Sequence, residues 1–160
     1  MHNIGSVMGV RLDDHYQDIF AQQVFYPYAG LQYEVHRLQT QHSLMGALLI
    51  KNWGLRNEIS KAVILHHDRD YLSKTEKHPN VRQITAMLKL ANYVALLSHN
   101  AESITPELLN YRDNAKRGLE NLPLEQVMNA AQAAIETFGC KLDFLEPYEE
   151  NLIDACGPWR

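Results

Sequence analysis

Four of the eight histidines in this chain sit where a metal ion or a travelling proton would use them. His2 stands beside Asn3, His42 near the start of a helical pattern, and His66 and His67 are adjacent and followed by Asp68. Imidazole is the commonest metal ligand and a frequent acid or base near neutral pH. Each piece also has a plainer reading. A His-His pair suits the negative end of a helix dipole. His42 is an ordinary polar residue for a first helical turn, and a lone His-Asn pair carries little information. His15, His36, His78 and His99 have no suggestive neighbours and read as solvated or locally bonded.

The elements that must position these residues read as helices nearly throughout. Asp13 to Val24 opens with two acids, favourable at a helix N-terminus, and places Ile19, Phe20 and Val24 at helical spacing. Tyr26-Pro27-Tyr28 breaks it, because proline disfavours helix in the residue before it. Leu31 to Leu38 is a short helix. Gln41 to Trp53 is another, with Leu44, Leu48 and Leu49 expected on its buried side, Trp53 as a core anchor and Gly46 at a close helix contact. Gly54 follows where a left-handed residue often ends a helix. Glu58 to His67 buries Ile59, Ala62, Val63 and Leu65, and Asp68 to Pro79 reads as an exposed polar loop. Val81 to Leu97 has the strongest apolar period: Val81, Ile84, Met87, Leu88, Ala91, Val94 and Ala95. Ile104-Thr105-Pro106-Glu107 is a helix start, and Leu124 to Phe138 is a last helix closed by Gly139. Ile4, Val7 and Met8 are apolar with no cap before them, as if a helix were entered partway.

Bulk properties narrow the function. The 160 residues suit one domain, and 46% hydrophobic with 21% charged residues is ordinary for a soluble globular protein. The net charge of −4 and the absence of a basic cluster speak against nucleic acid as a partner. The apolar runs are far shorter than the ~20 residues of a membrane span, and no signal peptide is visible. Two isolated cysteines, Cys140 and Cys156, suit a reducing compartment, so a cytoplasmic location is expected.

The order of the pieces adds to this reading. "MHNIGSVMG" leads, Glu34 stands eight residues before His42, and "HSLMGALLIKNWGL", "ISKAVILHHD" and "LKLANYVA" follow. Across residues 1 to 98 this resembles the HDOD branch of the HD-domain superfamily, whose active members are metal-dependent phosphohydrolases. The resemblance implies an all-α HD-type helical bundle over residues 1–140, followed by a surface tail over 141–160. It also implies that the chain enters the family's domain partway.

The departures from that family decide the expected function. Active relatives carry His-Asp where this chain has His2-Asn3, and an aspartate where it has Asn92. Ser6 replaces the lysine of the HDxGK motif, and no Gly-Tyr-Pro follows His67. Divalent ions that activate water on phosphate esters favour anionic oxygen ligands, and an amide is neutral. The expected vestigial site is His2, Asn3, His42, His66, His67, Asp68 and Asn92, with no catalytic residue. His42, His66 and His67 would hold at most a single ion, zinc or iron, and no other cofactor is expected. The resemblance thus points to a bacterial signal-transduction module acting through protein partners or a small ligand, and forming a homodimer, with no nucleic acid or membrane partner. The alternative is a metal-dependent phosphohydrolase in which Asp68, Asp70 or Asp14 supplies the missing charge.

Overall fold

The computed structural model describes residues 2–99 and 104–120, and all the elements among them are helices. In chain order these are α1 (Gly5–Leu12), α2 (Tyr16–Phe25), α3 (Ala29–Leu38), α4 (His42–Asn52), α5 (Asn57–Leu65), α6 (Tyr71–Lys74), α7 (Pro79–His99) and α8 (Pro106–Gly118). They belong to one compact unit that closes at Leu119. The expected helix Leu124 to Phe138, the boundary at 140 and the tail 141–160 lie outside the described residues. α4 packs on α5 and α1, α5 on α7, α7 on α8, and α2 on α3.

Local chemistry explains the start of α8 and the end of α4. Thr105 caps α8, its Oγ1 accepting from the Leu108 amide at 3.1 Å with Pro106 at the first helical position. Gly54 takes φ +73° just past α4, as its type allows. The two acids at 13 and 14 do not open α2, which starts at Tyr16. The Asp13 carboxylate instead accepts from the His15 amide at 2.8 Å and from Arg37, a local turn that competes with helix initiation. Within the segment expected to be an exposed loop, α6 forms a single turn. It is anchored by Tyr71, which is fully buried and donates its hydroxyl to the Asn114 carbonyl at 2.9 Å.

The buried face of α4 differs from the expected leucine side. Leu44 and Leu48 are 40% and 60% exposed, while His42, Ser43, Gly46, Ala47 and Ile50 are buried. The helix is apolar nearly all round, so hydrophobicity cannot select its inner face. Close contact with α1 does: a Cβ on Gly5 would stand 1.9 Å from the His42 carbonyl oxygen, and one on Gly46 3.2 Å from the Gly5 nitrogen. Trp53, at the end of α4, is 52% exposed and is not a core anchor. On α1, Val7 and Met8 face solvent.

The aliphatic core is small: Ala47, Ile50 and Val63, with Ile59, Ile64 and Leu88 packed against it. Beside it lies a second interior of buried Tyr16, Tyr28, Tyr71 and Tyr111 together with Glu34, His42, His66, His67 and Lys89. A buried polar group is costly unless partnered, so this polar interior is where a function would reside.

Candidate metal centre

His42 enters the interior from the first turn of α4 and is completely buried. Glu34, on α3 and also fully buried, fixes it. The two carboxylate oxygens accept from the His42 amide and from Nδ1–H, both at 2.8 Å. Tyr16 and Gln23 donate to the same carboxylate at 2.7 and 2.8 Å. Burial works to raise the Glu34 carboxyl, but these hydrogen bonds, His42 first, outweigh it and hold it below the usual range. With Nδ1 donating to Glu34, the His42 lone pair is on Nε2, which is buried without a partner. A carboxylate behind a histidine in this way is the usual support of a metal-ligating imidazole.

The other two ligand candidates come from the end of α5. His66 is its C-terminal cap, and its Nδ1 donates to the Val63 carbonyl at 2.6 Å, again leaving Nε2 unpartnered. His67 follows in the turn with its Nδ1 unpartnered. One nitrogen from each of His42, His66 and His67 lies within 4.8 Å of the others. The ring centroids are 5.5 Å apart for 42–66, 5.0 Å for 42–67 and 4.0 Å for 66–67. Burial above all, then repulsion among the imidazoles, holds His66 and His67 well below the ordinary histidine range. They are neutral at physiological pH, with lone pairs available to a cation. Three buried, unpartnered imidazole nitrogens fit a metal ion that takes nitrogen ligands.

The remaining sequence-selected residues surround this cluster unequally. The ring of His2 packs edge-on to that of His66 at 5.2 Å, and its Nε2–H donates to Asn92 Oδ1 at 2.5 Å. The Asn92 amide donates to the Tyr111 hydroxyl at 3.3 Å, which donates to the His66 carbonyl at 2.9 Å. Asn92 is therefore held in a hydrogen-bonded chain across the edge of the cluster. The buried Oδ1 of Asn3 has no partner. Asp68 turns away: one carboxylate oxygen accepts from the Asp70 amide at 2.7 Å and the other pairs with Lys74. Asp14 and Asp70 are exposed. Of the other histidines, His15, His36 and His78 are exposed, and the His99 side chain lies outside the described residues.

Two features escape a reading of the sequence. The first is the clamp that Glu34, Tyr16 and Gln23 build around His42. The second is Lys89, completely buried on α7 and lacking a hydrogen-bond partner. Its Nζ lies 4.3 Å from the ring centroid of Tyr111 and 5.1 Å from those of Tyr28 and Tyr71. Burial pushes the ammonium down to about 7, with the Asp68 charge pulling it back. The signal was present: Thr85, Lys89 and Tyr93 recur every fourth residue, and all three are buried.

The HDOD domain family matches residues 1–69, from the His2-Asn3 pair through His66-His67-Asp68. Asn92 and Lys89 lie beyond that match. No curated protein and no solved structure matches the chain.

Proposed function

We propose that this chain, whose residues 1–69 match the HDOD domain family, is a regulatory signalling module that has lost phosphohydrolase chemistry and works through protein partners. The observation that carries this reading is the pair of amides where active relatives hold carboxylates. Asn92 is tied by hydrogen bonds to His2 and Tyr111, and Asn3 offers only a neutral oxygen. A two-ion centre that clamps a phosphate needs anionic bridging oxygens. Asp68, the best-placed substitute in sequence, is engaged with Lys74 and the Asp70 amide.

In this reading His42, His66 and His67 hold at most one divalent ion, zinc or iron. When bound, it would tie α4 to the end of α5 and act as a structural or sensing ion. Glu34 orients His42, the Val63 carbonyl orients His66, and burial keeps His66 and His67 neutral.

Elemental analysis of the purified chain, together with hydrolysis of bis-p-nitrophenyl phosphate in the presence of manganese, iron or zinc, tests this. The expected result is at most one ion per chain and no turnover above buffer. Two ions per chain, or turnover abolished in His66→Ala, would overturn it.

A further inference from the structure

Lys89 has no role in holding an ion, yet its position is tied to the cluster that would. Its ammonium lies among the faces of Tyr28, Tyr71 and Tyr111. Aromatic faces attract a cation through their quadrupoles. A neutral amine would gain little there, and an aliphatic side chain would fill the space at less desolvation cost. The rings therefore make a cage suited to a positive charge, and no carboxylate among the described residues hydrogen-bonds to that charge.

The cage shares a wall with the histidines. The Tyr111 ring that covers Lys89 lies 5.9 Å from the His67 ring, and its hydroxyl donates to the His66 carbonyl. The ammonium and the His67 ring thus pack against the same tyrosine, whose hydroxyl reaches the backbone of His66, and all of these groups are buried.

We infer that Lys89 sets the cation affinity of the His42/His66/His67 centre: in its protonated form the caged ammonium weakens the hold on any divalent ion placed there. The inference rests on the reading that this centre can bind an ion. It assigns Lys89 as a residue acting on the site through its field, not as a ligand. At an effective dielectric of about 20, such repulsion between groups that share one tyrosine neighbour changes affinity by a factor of roughly ten to a few hundred.

Calorimetric titration of the metal-free chain with zinc tests it, on the unaltered protein, Lys89→Met and Lys61→Met. Lys61 is exposed on α5, so its loss removes the same net charge at a solvated position. Lys89→Met is expected to bind zinc at least about tenfold more tightly than the unaltered chain. Lys61→Met is expected to match the unaltered chain, and His42→Ala added to Lys89→Met should abolish the gain. If Lys89→Met fails to fold by circular dichroism, Lys89→Gln carries the same expectation. Equal zinc affinity with and without Lys89, or an equal gain from Lys61→Met, overturns the inference and leaves the metal reading standing. Absence of zinc binding by every variant overturns both.

Discussion

At the scale of single residues, the interior stores its chemistry in imidazoles kept neutral by burial. His66 and His67 bind a proton less readily in the folded chain than in the unfolded one, where imidazole titrates near 6.5. Below that value the unfolded chain takes up protons that the folded chain refuses, so stability falls as pH falls. Each such group costs about 1.4 kcal/mol per pH unit once the unfolded form is protonated. Urea unfolding of the metal-free chain should therefore show a loss of roughly 2–3 kcal/mol between pH 7.5 and 5.5. His66→Gln/His67→Gln should flatten that slope. An unaltered chain equally stable at both pH values would show that these imidazoles are not held neutral. At lower pH Glu34 adds to the loss: its carboxyl is held below its usual range when folded, so the stability it contributes disappears as pH drops through its folded value.

At the scale of elements, the site depends on how closely α1 approaches α4. Gly5 has its Cα against the His42 carbonyl, the residue that opens α4 and carries a candidate ligand. A methyl group there would have to push backbone away, whereas one on Gly46 meets its nearest atom at 3.2 Å, where a small shift suffices. Gly5→Ala is expected to destabilise by on the order of 2–3 kcal/mol and Gly46→Ala by clearly less, measured by denaturant midpoints. If Gly5→Ala proved the milder change, the two helices would not meet at this glycine.

At the scale of the whole molecule, two helices that pack on each other both leave apolar side chains in solvent. Val7 and Leu12 on α1 are 56% and 60% exposed, and Leu44 and Leu48 on α4 are exposed as well. Exposed apolar surface of this kind favours a partner. Self-association is the proposed outcome: sedimentation velocity should show a concentration-dependent rise in mass, reversed by Val7→Glu/Leu48→Glu. A monomer at all concentrations would remove this proposal. No helix among the described residues is long and apolar enough to cross a membrane.

Local patterning alone determined the helical class and many helix boundaries, because proline and the 3.6-residue period act within a few positions, while the candidate residues were singled out by the order of their motifs and its resemblance to the HDOD branch. The Thr105-Pro106 start, the Gly54 stop and the helices carrying His42 and His66 are legible on those grounds. Asp13 could not be read so, because a side-chain turn competed with helix initiation. Which face of a uniformly apolar helix turns inward was decided only by tertiary contact. Leu44, Leu48 and Trp53 therefore lie outside while His42 and Gly46 lie inside. The same holds for the chemistry of the interior. Glu34 becomes the support of His42, and Lys89 is set among tyrosine rings of which Tyr111 also meets His67, only when α3 meets α4 and α7 meets α8. Desolvation and the fields of neighbouring charges act through space, and sequence separation carries no record of either.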